Sequence, residues 1–263
     1  IRTKPPKGDG FSGILRSDNG FQHYFRTGNS LDLKYRTGGL EIFANYGWWR
    51  GNTRFDRLND MNTTTSKGTY RQFVSTIGKE SYNDMTGKLG FSYMINDRHS
   101  IGAYYQNSWN RHNTDGTIPS EIWQNGILLD LYNSDVHNQS TAVPRHYANI
   151  YYNGIVGKLN IDFNADYIWY KSRELTFNNE LSEMGNDREV NTSSINRNRM
   201  FAEKLVMTYP LWKGQIEIGE EYTNTRTTNL FSANILETPN ADNRVDENNI
   251  AVSAEFGQQF GRF

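Results

Sequence analysis

The 263-residue chain contains no cysteine. That excludes a disulfide framework and any thiolate metal site. It also lacks long apolar runs. No segment approaches the roughly 18 consecutive apolar residues that a transmembrane helix requires, and mean hydropathy is −0.78. Charge of one sign is missing too: the formal net charge is −1, so no bulk positive field draws nucleic acid. Histidines are few, and His23, His99, His112, His137 and His146 stand at no metal-ligand spacing such as His-x-x-x-His. No metal, cofactor or nucleic-acid partner is expected. The chain begins at Ile1 with neither Met nor a signal peptide, so any export signal is expected on a segment before it.

What the chain has is a period of two. In 159–171, Leu159, Ile161, Phe163, Ala165, Tyr167 and Trp169 take one parity, and Asn160, Asp162, Asn164 and Asp166 take the other. Successive side chains of a β-strand point to opposite faces, so this is a strand with one apolar face. It outlasts the usual soluble strand of about 5–6 residues and meets the about 9–11 that cross a bilayer at a tilt. The same alternation recurs in Leu31–Tyr35, Leu40–Trp48, Lys88–Ile95, Ile101–Trp109, Tyr147–Asn153, Gln215–Tyr222 and Ile250–Phe256. Glu220 interrupts the apolar parity, and Glu203 does so in the weaker segment 200–209.

Connections alternate in length. Arg36 to Gly39, Asn96 to His99, Ile155 to Lys158 and Pro210 to Gly214 are short and carry turn residues. Segments 55–84, 112–143, 175–197 and 231–247 are long and polar and read as loops. The first pair, 10–17 and 24–35, is joined through Asp18, Asn19 and Gly20. The fold class expected is all-β: an up-and-down antiparallel transmembrane β-barrel, with turns at one end and loops at the other and about ten strands present. Mean hydropathy does not oppose it, because only alternate residues of a spanning strand need be apolar. Aromatics make up 14% of the chain, with Tyr, at 16, the commonest.

The amino terminus adds a resemblance. Ile1-Arg2-Thr3-Lys4-Pro5-Pro6 followed by Gly10 and Gly13 is similar to the plug-to-barrel junction of Bacteroidetes-type TonB-dependent outer-membrane receptors. Thr86–Asp97 resembles that family's strand-and-turn signature, and Arg36-Thr37-Gly38-Gly39 its first periplasmic turn. The resemblance implies residues 1–9 as a junction and 10–263 as part of a barrel of about 22 strands. It further implies location in the bacterial outer membrane, contact with its lipid, and uptake of a scarce nutrient (siderophore, glycan or peptide) through a plugged lumen. The plug and the segment that engages TonB would lie outside this chain. At the other end Phe263 is terminal, but Gly257, Gln259 and Gly261 fill the alternate positions where finished barrels carry aromatic or apolar residues. The last strand therefore reads as cut rather than finished.

Candidate site residues follow from parity. Asp32, Lys34, Glu41, Lys88, Asp162, Asp166, Glu217, Glu221 and Glu255 are expected on the inward face. They would line a polar lumen, or else form the solvated face of a soluble sheet. Trp48, Trp49, Trp109 and Trp169 precede the long segments and are expected as an aromatic girdle, with Tyr209 and Trp212 at the opposite rim. Trp123, Tyr132 and Phe177 are the loop aromatics that could meet a ligand. The oxygen-rich stretch 240–247 lacks the Gly and closing Glu of an EF-hand and reads better as hydrated loop than as a Ca²⁺ site. His112 with Asp115, or His137 with Asp135, would be the only acid–base pairs at the rim, and no catalytic residue is assigned. Asp187-Arg188-Glu189 reads as solvated charge. Two other readings stand beside the receptor. One is a ten-stranded outer-membrane enzyme of omptin-like architecture, whose paired Asp and Asp–His motifs are missing. The other is a soluble β-sheet binding protein.

Overall fold

The computed structural model describes residues 8–236 and 238–258. Ten strands form one antiparallel sheet in sequence order, with no helix among the described residues. They are β1 (Gly10–Gln22), β2 (Tyr24–Thr37), β3 (Leu40–Thr65), β4 (Gly68–Asn96) and β5 (His99–Gln124). The second half comprises β6 (Ile127–Val156), β7 (Leu159–Ser182), β8 (Arg188–Leu211), β9 (Gly214–Ala233) and β10 (Ala241–Gln258). The junction residues Ile1, Thr3, Lys4 and Pro6, and the terminal Gln259, Gly261 and Phe263, lie outside the described residues.

The short turns fall at the expected places. Gly38 reverses the chain between β2 and β3 at φ 54°, and Gly157 does so between β6 and β7 at φ 64°. The long segments differ from expectation. Residues 55–84, 112–143 and 175–197 are not loops but mostly continuations of the strands, closed at their far ends by two residues between β3 and β4 and between β5 and β6, and by residues 183–187 between β7 and β8. β3 and β4 stay paired from Leu40↔Tyr93 out to Thr65↔Gly68. Thr, Tyr, Phe, Val and Ile run through 69–77, residues that suit a pleated ladder. Their polar alternation hides the strand from a hydrophobicity reading. Likewise, Asp18, Asn19 and Gly20 belong to β1, and the chain reverses at His23, whose φ is 61°.

Register carries one face through the whole sheet. Directly opposed residues share a face. Leu33 pairs with Ala44, Ala44 with Leu89, Leu89 with Tyr105, and Tyr105 with Ala148. The row continues from Ala148 to Tyr167, Phe201 and Asn224. The register shifts beside two turns, at Met94 and Asn96 and at Ile122 and Trp123, and once within the length of β6. Ser108 and Asn110 of β5 face Arg145 and Ala142, so β6 holds one residue more than its partner there. Against β7, β6 carries the same extra residue between Ala142 and His146. Pro144 lies in this stretch and has no N–H to give a ladder, which is why the extra residue bulges out here. Beyond the bulge the parity of β6 reverses, so Thr141, Gln139 and His137 join the face that His146 and Ala148 occupy below it.

There is almost no core. The buried hydrophobic residues among those described are Val74 and Ala165. Accessible surface totals 18108 Å², against about 12,000 Å² for a compact monomer of this mass. Among the described residues β1 pairs only with β2 and β10 only with β9. Each therefore presents a row of unpaired backbone groups.

Where packing is tight, it is tight against backbone. A Cβ on Gly90 would lie 2.7 Å from the Ala103 carbonyl oxygen and 2.5 Å from Tyr104 Cβ. Gly90→Val should destabilise the sheet by about 1–3 kcal/mol, as overpacking does. Denaturant unfolding in detergent micelles measures this, and an unchanged midpoint would contradict the close approach.

Candidate functional site

The register brings Asp32, Lys34, Glu41, Lys88, Asp162, Asp166, Glu217, Glu221 and Glu255 onto one face. Asp32 opposes Asn45, which opposes Lys88. Lys88 opposes Gln106, and Gln106 opposes Tyr147. Further along, Asp166 opposes Asn149 and Asp162 opposes Asn153. Lys204 opposes Glu221, and Glu217 opposes Glu255.

Much of this face is tied up within itself. Asp32 accepts hydrogen bonds from Arg16 at 2.9 Å and Asn45 at 2.6 Å. Glu41 takes Lys34 at 2.9 Å and also Arg36. Asp166 collects Tyr147 Oη at 2.6 Å, Asn149 at 2.7 Å and Asn164 at 3.0 Å. The Lys88 ammonium sits 3.8 Å above the Tyr104 ring and 5.6 Å from that of Phe43. Lys204 pairs with Glu221. Glu217 accepts from Thr208 at 3.3 Å, yet it directly opposes a second carboxylate, Glu255.

The opposite face carries Ile42, Leu89, Phe91, Ile101, Ile150, Ile161, Phe163, Ile218, Ile250 and Val252. Ile150 is 53% exposed and Val252 73%. Within this band Glu203 lies between Ala165 and Tyr222, and Glu220 between Leu205 and Val252. Trp48, Met85 and Trp109 form one row on this face. Trp169 lies on it too, its ring centroid 5.0 Å from that of His146. Trp49 parts from the other three. Opposite Asp84, it lies on the polar face, folded back over Gly47, which has no side chain to obstruct it. At the turn end Trp212 makes an edge contact with Phe256, centroids 6.0 Å apart, and Tyr209 opposes Ile216 on the same face.

Above the Trp row, histidine partners differ from those expected. His112 bonds Glu80 at 2.9 Å and Asp84 at 3.0 Å, not Asp115. His137 bonds Asp115, while Asp135 accepts Thr117 at 2.9 Å. The reason is geometric. Residues three apart on a strand point to opposite faces, whereas cross-strand neighbours meet. No signal in a lone sequence shows that register. The remaining candidates disperse. Tyr132 accepts from Gln72 at 3.0 Å on the polar face, Phe177 packs beside His137 on the other, and Trp123 donates to Glu121 at 3.1 Å. Asp246 is held by Arg226 and Arg244, and residues from Ala241 onward form β10 rather than a loop. No group of three or more metal-ligating side chains gathers among the described residues. Arg188 pairs with Glu180, and Asp187 accepts from the Ser182 amide at 3.0 Å.

No protein-family model matches this chain, and no curated protein matches it either. Among solved structures it is similar to the ferric preacinetobactin receptor BauA from Acinetobacter baumannii, at 9% identity and a TM-score of 0.36. That match covers 94% of this chain and 45% of the receptor. The ferric citrate transporter FecA, unliganded, matches at 9% identity and TM-score 0.42, over 98% of this chain and 43% of its own. The siderophore receptor PiuA from Acinetobacter baumannii matches at 9% identity and TM-score 0.33, over 95% and 47%. The chain thus spans under half the length of these proteins.

His112 supplies a pH test. Burial penalises its charge, but the hydrogen bonds and charges of Glu80 and Asp84 outweigh that, so its pKa lies above the ordinary 6.5. The cluster's contribution to stability is therefore fully present below pH 6.5 and lost as pH rises through the raised value. The protection of the outer β4–β5 amides, relative to their intrinsic base-catalysed exchange, should fall over that window in the wild type. In His112→Gln the fall in protection should vanish, and an identical protection profile in both would refute the pairing.

Proposed function

We propose that this chain forms part of the wall of a bacterial outer-membrane receptor of the TonB-dependent kind, which takes up a scarce nutrient through a plugged lumen. The observation that carries the reading is a largely apolar face, carried through every strand despite Glu203, Glu220 and Asn224, on a sheet with nearly no core of its own. Ile150, Leu89 and Val252 are more than half exposed. A soluble sheet would cover such a face with a second layer, and among the described residues none exists. A bilayer supplies the cover directly. Trp48, Trp109 and Trp169 then lie at one boundary of the hydrocarbon, and Trp212 with Tyr209 at the other. Up-and-down order with tight turns is the topology such walls use.

The polar face becomes the lumen side. There Asp32, Lys34, Glu41, Lys88, Asp162, Asp166, Glu217, Glu221 and Glu255 would meet a plug and passing solute. Strand extensions beyond the Trp row would rise above the membrane and carry the surfaces that meet nutrient. Edge strands do not persist in lipid, so β1 and β10 require partner strands from a larger barrel. Such a barrel has about 22 strands. The Ile1–Gly13 resemblance supports the Bacteroidetes type and the siderophore, glycan or peptide class of cargo. The omptin-like alternative needs closure at ten strands, and no ladder joins β1 to β10 among the described residues.

The test is depth-dependent. Ile150, opposite Ala103 and Ala165, lies midway along the apolar band, so Ile150→Arg should cost about 2–4 kcal/mol in lipid vesicles. Ile161, one step from the β6–β7 turn, lies nearer the boundary, and Ile161→Arg should cost less. Glu220→Leu should act in the other direction and stabilise, because it removes a carboxylate from the band. Equal, negligible effects at all three positions would exclude lipid contact.

A further inference from the structure

The apolar face carries a second feature where it meets the Trp row. On β7, β8 and β9 the residues just beyond Trp169 are basic. Lys171 directly opposes Arg197, and Arg199 directly opposes Arg226. Arg173 follows two residues after Lys171 on the same face. Like charges set directly opposite on one face of a sheet repel and destabilise it. Here the repulsion is little relieved. Arg226 is matched by Asp246, which Arg244 shares at 2.8 Å. Lys171, Arg173, Arg197 and Arg199 have no carboxylate partner among the described residues. Glu203 and Glu220 lie lower, within the apolar band.

Two conditions therefore meet at one place. The cations need anionic oxygens, and guanidinium groups take phosphate in pairs of parallel hydrogen bonds. Beneath them on the same strands lie Tyr167, Phe201 and Tyr222 and, below Glu203 and Glu220 respectively, Phe163 and Ile218; these aromatic and aliphatic side chains need an apolar cover. A free phosphate meets only the first need and a neutral lipid only the second. We propose that Lys171, Arg173, Arg197, Arg199 and Arg226, floored by Trp169, form a docking surface for the phosphate-bearing headgroup of a membrane lipid, whose acyl chains lie down the apolar band. Neutralising the opposed cations would then fix the outer part of β7–β9 at the membrane boundary. This rests on the membrane-spanning reading above.

The whole barrel that contains this chain is purified in neutral detergent micelles, and binding of fluorescent diphosphoryl lipid A is followed by anisotropy. Unlabelled lipid A should displace the probe, whereas phosphatidylcholine and inorganic phosphate should not. R197Q/R199Q should weaken binding about 25-fold, at about fivefold per cation removed near an anionic lipid surface. R197K/R199K should retain most of the affinity, and Arg98→Gln, in the β4–β5 turn, all of it. Without lipid A, R197Q/R199Q should unfold no more easily than the wild type, since it removes like-charge repulsion. Unchanged binding by the double Gln variant, or equal displacement by phosphatidylcholine, would overturn the proposal. Equal displacement by inorganic phosphate would reveal a site for soluble anions and overturn it too. Each of these results leaves the spanning reading intact. A barrel protein that stays soluble and folded without detergent would overturn both.

Discussion

Everything in this sheet depends on the phase of its backbone ladders. A shift of one residue in any of them would move that strand's whole apolar set to the other face. Along the apolar band the phase holds through every pairing from β1 to β10; the register shifts beside the β4–β5 turn, beside the β5–β6 turn and at one compensated site within β6. The compensation is local. Pro144 removes a donor, β6 takes one extra residue, and both neighbouring ladders absorb it at the same place. Because phase is kept, Leu33 and Ile250, at opposite ends of the sheet, face the same way. So do Asp32 and Glu255.

From that single constraint the two faces acquire different chemistry. One is a network of carboxylates, amides and cations that satisfy one another, as around Asp166 and Glu41. The other is apolar and exposed, with aromatic rows at both ends and a basic cluster beyond one of them. A protein of this mass in water would bury far more of its apolar surface than Val74 and Ala165. The missing cover must be non-aqueous for the sheet to persist. In the proposed reading lipid covers the band, and phosphate-bearing headgroups neutralise the cations above it.

The strands nearest the turns were legible because alternation there pits Leu, Ile and Phe against Asp, Asn and Lys. Residues 159–171 show it most clearly, and the structure keeps their phase to Ser182. The outer strand halves were not legible, because both their faces meet water and a polar–polar alternation leaves no trace in hydropathy. That is why 55–84, 112–143 and 175–197 read as loops. Trp49, like Trp48, precedes a long segment, but neighbours on a strand point to opposite faces, so only Trp48 joins the apolar row. Partners such as Glu80 and Asp84 for His112, or Arg197 for Lys171, depend on register between strands. A single sequence does not contain that register.

The most direct measurement uses the absence of cysteine. Single Cys substitutions along 161–167 and 148–152, spin-labelled in lipid vesicles, report contact with lipid-soluble oxygen against a water-soluble nickel chelate. Labels at Ile161, Phe163, Tyr167, Ala148 and Ile150 should favour oxygen. Those at Asp162, Asn164, Asp166, Asn149 and Tyr151 should favour the chelate, giving a period of two. Equal access of the chelate to both parities would show that the apolar face meets water, and would contradict a membrane-spanning wall.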